Sequence, residues 1–153
     1  MEKLRLHPMD SMTPWERKRA YESGRDVDRS ITIPFMSELK CTLTGNKIYD
    51  WWHNPNVMAD VEIKMFNKFG YDRLTLGPNT RGITEALGGE FIYPENQVPH
   101  MKGVFLKDYN SLNSIDPTLI GEHDRIKVFL EALAVRPIEK VLRDTRKNPE
   151  MLH

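Results

Sequence analysis

Two short runs rich in β-branched residues, SITIPFM at 30–36 and YDRLTL at 71–76, stand on either side of a long amphipathic helix pattern, and that order leaves few folds open. Strands joined through a helix cannot make a hairpin; they lie parallel in one sheet with the helix across a face. In the intervening NPNVMADVEIKMFNKFG, residues Val57, Val61, Met65 and Phe69 recur at every fourth position, with Ile63 and Phe66 beside them. Asn54 or Asn56 offers the cap and Gly70 the stop. Another helix pattern leads into the first run: Thr13 as N-cap, Pro14 at the first helical position, Glu16 three residues after Thr13, and Gly24 as the stop. A short helix pattern closing on Gly88-Gly89 follows 71–76, then EFIY, which can form a strand, and a Pro-containing loop over 94–103. A turn of helix within 106–117 and helix patterns over 121–135 and 137–153 complete the chain, the last broken before Pro149. The expected class is α/β with parallel strands. In such sheets ligands gather beyond the carboxyl ends of the strands, and the polar loop Gly77-Pro78-Asn79-Thr80-Arg81 sits at one such end.

Composition narrows the functions. The 153 residues suffice for one ordinary domain. Lys plus Arg equals Asp plus Glu, 22 each, which argues against a nucleic-acid partner. A single cysteine, Cys41, excludes an internal disulfide framework and a Cys-rich zinc site, and makes a reducing, cytoplasmic setting the default. No apolar run approaches the roughly 18 residues of a membrane span, and MEKLRLHPMDSM lacks the apolar stretch of a signal peptide.

Several pieces, in order, resemble the uroporphyrinogen decarboxylase superfamily, which includes the decarboxylase of haem biosynthesis and the corrinoid-dependent methyltransferases. MTPWERKRAYESGRDVDR is similar to its first helix and the Asp-Arg before its first barrel strand, and NPNVMADVEIKMFNKFGYD to its next helix, ending on Gly-x-Asp. EALGGEFIYPENQVP resembles the segment after the second strand, and LRDTRKNPEMLH a helix further on. The resemblance implies a (β/α)₈ TIM barrel, a fold of roughly 250 residues. The expectation is therefore a partial barrel, its N-terminal portion: a helical lead-in over 1–29, the first βα units over 30–136, and a C-terminal helix over 137–153. FLEALAV runs almost directly into RPIEKVLRDTRKNP, where the family has a further strand and a Gly-Pro loop, so a truncated or internally shortened copy is expected. Its open edges imply self-association or a partner supplying the missing barrel half.

The resemblance also assigns roles. Decarboxylase members carry an aspartate at the end of the second strand, and counting back from Glu85-Ala86-Leu87-Gly88 that position falls on Asn79. An amide cannot supply the negative charge a cationic intermediate needs. Asn79 is either a substrate-facing residue or a turn former after Pro78. The arginines that grip substrate carboxylates after the first strand are missing from IPFMSELKCTLTG, where Lys40 reads as a solvated surface lysine. Both departures point to the methyltransferase branch, with a methyl-corrinoid as substrate and a corrinoid protein as partner; a non-catalytic subunit and the decarboxylase itself are the alternatives. Zinc-holding members use a His-x-Cys pair that this chain lacks; His53 and His100 are solitary and Cys41 reads as an ordinary buried residue. No bound metal or cofactor is expected. Candidate substrate-binding residues are Asn79, Thr80, Arg81 and Trp52. Thr80 and Arg81 offer donors at the strand end, although Arg81 also suits a surface ion pair. Trp51 and Trp52 form an aromatic wall or pack on a helix.

Overall fold

A computed structural model describes residues 4–135 of the chain. The helix expected over 137–153 lies outside the described residues. Helix α1 (Pro14–Glu22) starts as the sequence requires: Thr13 Oγ1 accepts from Glu16 N–H at 3.2 Å, and the Glu16 carboxylate accepts from Thr13 N–H at 2.8 Å. Two short helices that bury few residues each follow, α2 (Leu39–Thr44) and α3 (Ile48–His53). The long helix is α4 (Pro55–Phe69), capped by Asn54 Oδ1 on Asn56 N–H at 3.0 Å. It stops at Gly70, whose φ of +59° suits a residue without a Cβ. Helix α5 (Asn79–Ala86), the strands β1 (Phe91–Ile92) and β2 (His100–Met101), two 3₁₀ turns and α6 (Asp124–Ala134) complete the described chain.

Helix α4 is the axis of the core, with α2, α3 and α6 packed around it. Met58, Val61 and Met65 join Trp51, Trp52, Tyr71 and Phe129 in one apolar cluster. Ala59 and Ile63 face another, against Leu4, Leu76, Leu133 and Val135. A helix buried on more than one side carries apolar residues beyond a single stripe.

The sheet differs from expectation. Among the described residues the strand ladder is the antiparallel pair β1–β2, with Phe91 opposite Met101 and Ile92 opposite His100; β2 lies in what the sequence suggests is a loop. The runs 30–36 and 71–76, expected as parallel strands, form no ladder. They run side by side in one direction, joined at the start by Asp72 N–H to the Thr32 carbonyl at 2.8 Å and past their far ends by an Arg81–Glu38 ion pair at 3.1 Å. Pairing ends after the first bond because Pro34 has no N–H to give, and a cavity separates the segments beyond it. Helix α2 was not foreseen either.

A charged clasp fixes the starting ends. Arg17 is fully buried and reaches Asp28 (Nε to Oδ1, 2.6 Å), Asp10 (3.0 Å) and Asp72. Arg29 pairs with Asp10 at 2.8 Å and Asp72 at 2.7 Å, and also donates to the Gly70 carbonyl. This network accounts for two of the resemblance motifs, the Asp-Arg before the first segment and the Gly-x-Asp before the second.

Candidate functional site

Beyond the clasp the two segments open around a cavity of about 400 Å³. Its walls come from 33–37, from alternate residues of 71–79, and from Lys40, Trp51 and Glu62 on three helices. Each segment ends at a non-glycine residue with positive φ, Ser37 at +42° and Asn79 at +44°. Both line this cavity. Backbone held in that region costs on the order of 1–3 kcal/mol and persists where surroundings enforce it. Here the Ser37 hydroxyl donates to Glu38, and Glu38 is paired with Arg81, so the two loops brace each other.

Asn79 opens α5. Its Oδ1 accepts from Arg81 N–H at 2.9 Å and Gly82 N–H at 3.4 Å, which leaves its amide NH₂ without a partner among the described residues. The residue is a turn former, as one of the two readings of the sequence has it, and it also lines the cavity. Thr80 is exposed, and its carbonyl accepts from the Thr84 hydroxyl at 2.8 Å. Arg81 makes the ion pair with Glu38 and does not line the cavity. Trp52 is fully buried, edge-on to Trp51, Tyr93 and Phe129, and lies in the core away from the mouth. Consecutive residues of a helix point about 100° apart, so only Trp51 of the pair reaches the cavity.

Sequence reasoning misplaced Lys40. It is buried, paired with Glu62 beneath the cavity, with its Nζ 5.3 Å from the centre of the Trp51 ring. Burial pushes the Glu62 carboxyl above its usual range, against the pull of Lys40. One signal was present: Glu62 comes four residues after Met58 and three before Met65, on the buried stripe of α4. Arg73 was also missed. It is exposed at the cavity wall and makes no ion pair or hydrogen bond with a described residue. Cys41 is fully buried and its thiol is pushed up to about 12 by burial, so it stays protonated at neutral pH and packs as a small hydrophobe.

A second buried arginine ties the site's scaffold together. Arg125 of α6 donates to Glu85 at 2.6 Å and to the Trp52 carbonyl, lies 3.1 Å from His53 Nε2, and covers the Tyr93 ring at 4.6 Å. That gives Glu85, in the EALGG stretch, a structural task. A larger groove of about 780 Å³ between α1 and the two segments is mostly apolar, walled by Trp15, Tyr21, Ile31, Phe66 and Leu74. Lys18, Glu22, Asp72 and Arg73 also line it, Arg73 being shared with the smaller cavity. Among the described residues no three His, Cys, Asp or Glu side chains are grouped to hold a metal ion, and no helix is long and apolar enough to cross a membrane.

The family model of uroporphyrinogen decarboxylase (URO-D) matches residues 13–152. The chain belongs to this family. Membership implies a TIM-barrel-like fold; the described residues are rich in helix and carry one two-stranded antiparallel ladder. No curated protein and no solved structure matches the chain.

Proposed function

We propose that this protein follows the methyltransferase branch of the family and that the cavity between Asn79, Arg73 and the Lys40–Glu62 pair receives the methyl acceptor. The observation that carries the reading is Asn79. It occupies the position where the resemblance calls for a carboxylate, and its side-chain oxygen is already engaged in capping α5. The carboxylate that lines the cavity, Glu62, is held by Lys40, and Glu38, next to the lining residue Ser37, is held by Arg81. A cationic pyrrole intermediate would find no free negative charge there. An anionic acceptor would find Arg73 and the amide of Asn79.

In this reading a methyl-corrinoid supplies the electrophilic methyl group. The chain's own residues bind the acceptor, orient it through Asn79 and Arg73, and hold it in its negatively charged, nucleophilic form. Phe35, 98% exposed beside the cavity, adds an aromatic face against which a flat ring can lie.

The test is spectrophotometric. The protein with methylcobalamin and a panel of thiol acceptors should speed loss of the methylcobalamin spectrum above the uncatalysed rate, and Arg73→Gln should reduce the rate at least tenfold. No acceleration with any thiol removes the reading.

A further inference from the structure

Helix α1 has two working faces. Arg17 and Ala20 are buried on one. On another, Trp15, Lys18 and Glu22 recur at helical spacing with Tyr21 beside them, and all four line the larger groove. Trp15 and Tyr21 belong to neither apolar cluster of the described core, and Tyr21 is 67% exposed. Opposite them stand Ile31, Phe66 and Leu74. The groove's volume of about 780 Å³ falls in the range of small-molecule sites, roughly 300–1,000 Å³.

The charges along the groove are not equivalent. Lys18 is paired with Glu22 at 3.2 Å, and Asp72 is held in the clasp by Arg17 and Arg29. Arg73 has no ion pair among the described residues. Together with Ile33 it lines both the groove and the smaller cavity, so the two spaces border each other at these side chains. A ligand whose anionic end meets Arg73 therefore has an apolar, aromatic-walled channel beside it. A short ligand would leave that wall in water.

We propose that the groove holds the hydrocarbon body of a single free amphiphile with one anionic end. The chain lies against Trp15, Tyr21, Ile31, Phe66 and Leu74, and its end reaches Arg73. This rests on Arg73 as the cation that meets the ligand, as in the proposed function, and adds the ligand's class: a medium-chain molecule rather than a short one. It does not depend on methyl transfer.

Butanoate, octanoate and octanol are the probes. NMR titration of the full chain follows the Trp15 indole N–H, with that of Trp52, fully buried in the core, as reference. Octanoate should shift the Trp15 signal saturably and bind at least about tenfold more tightly than butanoate, since each methylene taken from water is worth about fourfold. Octanol, the same body without the charge, should bind about threefold more weakly, as one exposed ion pair allows. Arg73→Gln should erase that difference. Tyr21→Glu, at an exposed position of α1, should weaken octanoate at least about fivefold by wetting the groove; the rest of the spectrum checks that both variants keep the fold. Equal binding of butanoate and octanoate, a Trp15 signal that octanoate leaves in place, or affinity untouched by Tyr21→Glu would each overturn the proposal. So would a Trp15 signal that moves with protein concentration and then ignores octanoate, the mark of a second copy covering the groove. Octanoate binding with no methyl transfer to any thiol removes the transferase reading alone; transfer to short thiols with no Trp15 response to octanoate removes this one alone.

Discussion

Arg17 shows what a single side chain does here. It has no exposure, and Asp10, Asp28 and Asp72 all depend on it. Arg17→Met would leave three carboxylates at the clasp with Arg29 alone, and losing one partner of a buried ionic network costs about 3–5 kcal/mol. Urea unfolding should show a loss of that size. The pH dependence has a definite sign. The hydrogen bond from Arg17 holds Asp28 below the usual carboxylate range, and the one from Arg29 does so for Asp10. Groups with depressed values stabilise the fold above their unfolded pKa, near 3.9, and lose that contribution as pH falls through the folded values. Glu62 acts in the opposite sense: burial raises it, so its contribution declines as pH rises from about 4.3 toward its folded value. Urea midpoints of the native chain should therefore drop steeply only below about pH 4, and the drop should be shallower in Arg17→Met. An acid limb unchanged by that substitution would show that the clasp does not hold these carboxylates.

At the scale of elements, Gly70 joins α4 to the second segment. Its φ is +59°, and a Cβ there would stand 2.6 Å from His7 Cβ on the N-terminal arm. Gly70→Ala should cost more than the ~1 kcal/mol of the left-handed conformation alone, because the arm must also move. A thermal melt lowered by less than a few degrees would mean that the arm is not seated there. The helices were legible because their signals are local: Thr13 with Glu16 for α1, the Asn54 cap and Gly70 stop for α4. The runs 30–36 and 71–76 were misread as paired strands, since a ladder depends on distant N–H and C=O groups rather than on β-branched residues. The cavity was half legible. The loop at Asn79 was found from its place after the second segment, whereas the Lys40–Glu62 pair joins two helices, and a lysine in isolation reads as surface. Trp51 and Trp52 read alike in the sequence, as neighbours in one aromatic run, and only the packing of α3 puts Trp51 at the cavity and Trp52 in the core.

At the scale of the whole molecule, a charged clasp ties the starts of the two segments and a cavity lies between them beyond it, in a chain of the uroporphyrinogen decarboxylase family. In the function proposed above, Asn79 offers an amide where a decarboxylase would need a carboxylate, and Arg73 is a cation on the cavity wall with no ion pair among the described residues. A substrate with many carboxylates needs several such cations, and a protonated pyrrole needs a free anion. The most direct test of this claim is an anaerobic assay of the native chain with uroporphyrinogen, its products separated by chromatography. The account predicts no decarboxylated porphyrinogen above the protein-free control, and none from Asn79→Asp, since that change restores the charge but not the substrate grip. Coproporphyrinogen formed by the native chain, and lost in Asn79→Ala, would contradict it.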